Sequence, residues 1–254
     1  MPFARPLARW RLLSAAVIGS MVPDFGLFLP MRPARVETHS SLALITFCLP
    51  VGLATFWIFQ ALIKSAVLEI LPDGSYSRWR SLAAPADFRS LTQWLLAACG
   101  VELGAVTHLI WDAFTHEGAR GVRMIPALDD PLVDIVGHHL IGARFLQDIS
   151  SLIGLVVVLA VVAYGLRPLR HGVAPDRSIH PVERYAWMSA YVLMSVMLAA
   201  MFLEIRRPHY AAGHSLALLV GNYAIASLRG FAAAVVVVSL ALTLRLRAAR
   251  RRAQ

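Results

Sequence analysis

Long apolar runs separated by short, arginine-rich polar stretches organise this chain from end to end. A helix needs about 20 apolar residues to cross a bilayer, and six stretches are read against that length. Residues 12–29 form the first, interrupted by Pro23-Asp24, and residues 41–63 form the second. The third, 91–114, carries Glu102, His108 and Asp112 in an otherwise apolar sequence. Residues 152–166 are short but almost purely aliphatic, and 186–205 make the fifth run. The last, 215–246, is too long for one crossing and contains Asn222 and Arg229; its first part reads as a re-entrant or interfacial piece and 231–246 as the sixth span. Backbone groups in hydrocarbon must bond to one another, so the spans are helices or a closed barrel. Barrel strands alternate apolar and polar residues, and these runs do not. The expectation is an all-α transmembrane helical bundle of about six spans without an internal repeat. It divides into a membrane domain over residues 1–155, carrying a His/Asp cluster, and further helices with a basic tail over 156–254.

Composition agrees with that pattern. Of 254 residues, 58% are hydrophobic and 15% charged, against about 45–50% and about 25% in soluble domains. A disordered chain, a fibrous repeat and a soluble enzyme are set aside on those grounds. The net charge of +9 comes from arginines clustered between apolar runs, the distribution by which multi-pass proteins fix their orientation. Counted over alternate loops, 16 Lys and Arg fall on the side of both termini and 7 on the other. Both termini are therefore expected in the cytoplasm, and the first run reads as a retained signal anchor behind Arg5, Arg9 and Arg11. Cys48 and Cys99 lie in apolar runs and suggest neither a disulfide framework nor a zinc finger. No Walker loop, dinucleotide fingerprint or haem attachment motif occurs. The basic tail reads as an anchor to anionic membrane lipid, and no nucleic-acid partner is expected.

The polar residues inside the spans carry the chemistry. Ionisable groups there are costly and suggest function by default. His108, Asp112 and His116 follow one another at four-residue intervals, which on a helix stacks them along one face. A His and an Asp one turn apart can bind one metal ion, and Gly104, one turn earlier, lets a neighbouring helix approach closely. Asp24 and His39 fall at the same membrane side by alternation of the spans. Mixed histidine and carboxylate ligands suit a divalent metal, zinc first and iron or manganese next. Such an ion lowers the pKa of a bound water, and a nearby carboxylate or histidine acts as base. The alternatives are structural. Asp24 can simply end a helix, Thr38 can be an N-cap with His39 at a helix start, and His108 and Asp112 can be a pair that holds helices together. Glu102 points to another face, and Trp111 reads as an interfacial anchor. The long connection over residues 117–151 adds His138 and His139, which join His116 as candidate catalytic groups. Arg206-Arg207-Pro208-His209 with Gly213-His214-Ser215 has the flavour of a membrane phosphatase. It lacks that family's upstream lysine, its spacing and its nucleophilic histidine.

Met1-Pro2-Phe3, Ile18-Gly-Ser-Met-Val-Pro-Asp24, Thr38-His39-Ser40 and Gly104–His116, in that order, resemble domain-of-unknown-function family 4184, multi-pass proteins of bacteria. The Pro-Asp, Thr-His-Ser and Thr-His-Leu-x-x-Asp elements are similar, more distantly, to YdjM-type membrane-bound metal-dependent hydrolases. The resemblance covers about the first 155 residues. It implies Asp24, His39, His108 and Asp112 as metal ligands and a place in the bacterial inner membrane. Where the family has a histidine after Met-Pro-Phe, this chain reads Ala4-Arg-Pro-Leu7, which implies one ligand fewer. The first expectation is a metal-dependent hydrolase acting on a lipid-like or amphiphilic ester or phosphoester at headgroup depth. The alternatives are a non-catalytic membrane protein with a His/Asp packing network, and a transporter with these groups along a cation or proton path.

Overall fold

The computed structural model describes residues 4–27, 35–80, 88–135, 138–167, 179–210 and 216–252. Among these, five helices are long and apolar enough to cross a membrane, and a shorter apolar helix lies over Leu12–Leu27. Helix α1 spans Ala4–Met21 and tightens into a 3₁₀ turn over Val22–Leu27. The tightening falls at Pro23, which has no N–H and whose ring crowds the carbonyl four residues back. Helix α2 runs from Ser41 to Ile70. Ser40 caps it, its hydroxyl accepting from the N–H of Ala43 at 3.1 Å. A wide π turn occupies Leu44–Cys48, just ahead of Pro50, where the missing N–H and the ring disrupt α-helical bonding. A second π turn covers Phe59–Ile63.

Helix α3, Leu91–Thr115, buries Ala97, Gly100, Val101, Gly104 and Ala105, the stripe that a 3.6-residue period puts on one face. That stripe meets α1 backbone to backbone. A Cβ built on Gly104 would strike the carbonyl oxygen of Ala16, and one on Gly19 the carbonyl of Val101. Glycine-mediated approach is how membrane helices gain packing when lipid offers no hydrophobic drive.

The connection after α3 is more structured than its polar sequence suggests. It contains short helices at Arg120–Met124 and Pro126–Asp129 and an antiparallel hairpin of β1, Pro131–Ile135, with β2, His138–Ile141. Helix α4 then starts at Gly142 rather than at 152 and ends at Leu166. Its first turns carry Arg144 and Asp148, a pair 3.5 Å apart, so an apolar-run criterion overlooks them. Leu152, Ile153, Val156, Val157 and Leu159 are all more than half exposed, as expected of a helix whose solvent is lipid.

Helix α5 covers Pro181–Tyr210 and α6 covers Leu216–Arg252. The expected re-entrant piece over the first part of 215–246 is therefore corrected. From Leu216 onward it is one continuous helix, with Val220–Ala249 apolar enough to span. Asn222 and Arg229 do not break it, because a polar side chain leaves the helical backbone bonds intact and Arg229 finds a partner.

Two compact units result. The first takes α1 through Asp24, α2 through Leu53, α3, the hairpin and α4. The second takes Phe25–Leu27, α2 from Ala54, α5 and α6. Ala66, Ile70, Ile179 and Leu242 form the second unit's core, covered by Trp187, Tyr191 and Leu246. Polar bonds pin its helices. Tyr191 and Ser239 share a hydrogen bond of 2.8 Å, Arg184 meets Asp73 at 2.6 Å, and Arg245 meets Glu183 at 2.6 Å. Gly230 lies against Ala199 and Ser195 where α5 and α6 cross.

The two kinds of glycine should respond differently to a methyl group. Gly104→Ala is expected to cost about 1–3 kcal/mol through overpacking against α1. Gly154→Ala, with nothing within 4 Å of its added Cβ, is expected to be neutral or slightly stabilising. Unfolding of both variants in detergent micelles, followed by circular dichroism, measures the difference.

Candidate metal centre

Three segments of the first unit bring the expected ligands together. Asp24 comes from the 3₁₀ turn that closes α1. His39 is the last residue of the short helix Arg35–His39, one residue before the Ser40 cap of α2. His108 and Asp112 lie one turn apart near the end of α3. A histidine Nε2 and carboxylate oxygens meet at each contact. His39 Nε2 is 3.3 Å from Asp24 Oδ1 and 3.5 Å from Asp112 Oδ2. His108 Nε2 is 3.8 Å from Asp24 Oδ2 and 3.6 Å from Asp112 Oδ2. The rings of His39 and His108 stand edge to face at 5.6 Å. One ligand atom each from Asp24, His39 and His108 falls within 4.8 Å of the others.

The hydrogen bonds behind the rings decide what faces the centre. His108 Nδ1 lies 2.7 Å from the carbonyl oxygen of Ser20. A carbonyl only accepts, so Nδ1 carries the hydrogen and, in the neutral ring, Nε2 presents a lone pair. That carbonyl has lost one backbone donor for a local reason. In the 3₁₀ pattern the donor three residues on would be Pro23, which has no N–H. His39 Nδ1 is 2.7 Å from the hydroxyl of Thr38. Thr38 is 2% exposed, and its own carbonyl accepts the Cys48 thiol at 3.6 Å. Thr38 is thus the partner of His39 and not an N-cap; Ser40 has that role. A histidine held at Nδ1 by an oxygen and open at Nε2 is the usual arrangement around a metal ligand.

Nε2 of His39 and Nε2 of His108 are both buried and make no hydrogen bond. The His108 lone pair, the His39 Nε2 and two carboxylates then face one another. Buried polar atoms are seldom left so. The contacts, 3.3–3.8 Å, are long for charge-assisted hydrogen bonds, at about 2.7–2.9 Å. They match ligand-to-ligand spacing around an ion bound at about 2.0–2.2 Å. The donor set therefore fits a small divalent cation. Asp24 is the open side, with its side chain 46% exposed against 11% and 15% for the two histidines.

The other sequence candidates divide. His116 caps α3, its N–H donating to the Asp112 carbonyl at 3.1 Å. Its Nδ1 stands 3.5 Å from Asp112 Oδ1, the carboxylate oxygen turned away from the two histidine Nε2 atoms. It borders the centre without entering it. His138 and His139 lie on β2, opposite Ile135 and Asp134, and their side chains are outside the described residues, as is that of His209; His214 is outside altogether. Glu102 is not part of the cluster, and its Oε1 is buried without a hydrogen bond. Trp111 is 45% exposed. Sequence reasoning missed Ser20 and weighed Thr38 only as an N-cap. The Pro-Asp step two residues after Ser20 was the available signal.

The model of a protein family described as a domain of unknown function, DUF4184, matches residues 1–240, well beyond the 155 residues over which the motifs were recognised. No curated protein and no solved structure matches the chain.

The Ser20 bond makes a prediction independent of any ion. Imidazole ¹⁵N shifts of the detergent-solubilised protein near pH 8 should report His108 as the Nδ1–H tautomer. An Nε2–H ring would show that Ser20 does not set its orientation.

Proposed function

The chain belongs to the DUF4184 family, and on that premise we propose that it is a multi-pass membrane protein that holds one divalent cation and uses it for hydrolysis. Asp24, His39, His108 and Asp112 hold the ion, zinc in the first instance. The observation that carries the reading is the pair of buried, unbonded Nε2 atoms aimed at two carboxylates. A bound divalent ion would supply a water of lowered pKa and polarise an ester or phosphoryl oxygen.

The chain's own residues do the rest. Ser20 holds the His108 imidazole in the tautomer that keeps Nε2 available, and Thr38 orients the His39 ring by bonding at its Nδ1. Asp112 offers Oδ2 to the centre and Oδ1 to His116. His116, with its side chain 36% exposed, is the group best placed to take a proton at Nε2, since Nδ1 faces the carboxylate. The long apolar helices put the chain in a bilayer. A membrane lipid or another amphiphilic ester or phosphoester is therefore the substrate class, with the bacterial inner membrane as the setting.

Metal analysis by mass spectrometry on the detergent-purified chain tests this reading. About one zinc, iron or manganese ion per chain is expected, falling by more than tenfold in His108→Ala and Asp112→Asn while helical content is kept. A metal-free wild type, even after resupply, would leave the cluster as a polar network that ties α1 to α3 through Ser20 and His108.

A further inference from the structure

Arg229 lies within the apolar span Val220–Ala249 and is only 9% exposed. An arginine at such a position is costly and persists where partners satisfy it. Its Nε donates to the carbonyl oxygen of Leu27 at 2.7 Å, and its Nη2 donates to the same atom. Leu27 is the last residue of the turn Val22–Leu27. Its carbonyl is one of the orphan acceptors that a helix end leaves, and in a membrane an unsatisfied carbonyl is costly. A planar guanidinium meets it with two donors in a fixed fork, which a lysine cannot do.

The same turn carries Asp24. The other ligands are backed by long helices or by their own hydrogen bonds: His108 and Asp112 sit on α3, and His39 is braced by Thr38. Asp24 sits on a six-residue turn and is the most exposed ligand. Pro23 fixes the turn on one side of it, and the Leu27 carbonyl ends the turn on the other.

We infer that Arg229 is a positioning residue for the metal centre: by holding the end of the Val22–Leu27 turn it fixes where the Asp24 carboxylate is presented. This rests on the reading of Asp24 as a ligand. Arg229 acts through the two residues of chain between Asp24 and Leu27, Phe25 and Gly26, and touches neither ion nor substrate. Its removal loosens one ligand and leaves three in place, so the expected result is weakened binding with an altered ligand field. A span arginine kept only for folding would change stability and leave the ion's surroundings as they were.

The test uses the full-length chain in detergent, with Co²⁺ titrated against a competing chelator and its visible spectrum recorded. Wild type, Arg229→Lys, Arg229→Gln and Asp24→Asn are compared, together with each Arg229 change in the Asp24→Asn background. Arg229→Lys, which keeps the cation and one donor, guards against a Gln variant that fails to fold. We expect about tenfold weaker binding for Arg229→Lys and up to about 100-fold for Arg229→Gln, with spectra moving toward that of Asp24→Asn. In the Asp24→Asn background the Arg229 changes should add almost nothing, because both act on one ligand. Wild-type affinity and spectrum in both Arg229 variants would overturn the inference while leaving the metal centre standing. So would equal losses in the two backgrounds. A wild type that binds no Co²⁺ would overturn the metal centre and this inference with it.

Discussion

The hydrogen bond from His108 Nδ1 to the Ser20 carbonyl is the constraint on which the centre depends. It joins α1 to α3 and sets the tautomer of a ring whose other nitrogen faces two carboxylates. It exists because two requirements are met at once. Pro23 removes the donor that a 3₁₀ pattern would offer that carbonyl. Gly19, Gly100 and Gly104 let the two backbones come near enough for an imidazole to span the gap. Neither works without the other: a free carbonyl out of reach is a buried orphan, and a close helix pair without it leaves His108 free to turn.

Long-range order in the chain was legible because hydrocarbon imposes length and apolarity on whatever crosses it. The runs at 41–63, 91–114, 152–166 and 186–205 each lie within a long helix. Their ends were not legible in the same way. Helix α2 continues past Lys64 to Ile70, and α4 begins ten residues before its aliphatic core. A helix carries polar residues past the lipid boundary at no cost to its backbone bonds, so an apolar run marks the lipid-facing part and not the helix. The same physics explains the misreading at Arg229. A charge in a span suggested a break, whereas the charge is answered by a carbonyl from elsewhere in the chain, and no local pattern shows that.

The centre was legible to a similar depth. Four-residue spacing put His108, Asp112 and His116 on one face, and the geometry agrees. Asp24 and His39 were placed by alternation of spans, and they do meet His108. The supporting atoms were not visible, because a backbone carbonyl such as that of Ser20 leaves no mark in composition. Thr38 and Ser40 also look equivalent as caps in sequence; which one caps α2 depends on where its first turn begins.

The way the first apolar stretch ends has its own consequence. Leu12–Leu27 is the apolar part of a helix that begins at Ala4, and its last six residues form a 3₁₀ turn, which rises about 2.0 Å per residue. Asp24 lies close to the C-terminal end of this stretch. The six residues that close the apolar stretch therefore also carry the carboxylate, so where the stretch ends and where Asp24 stands are set by one and the same turn.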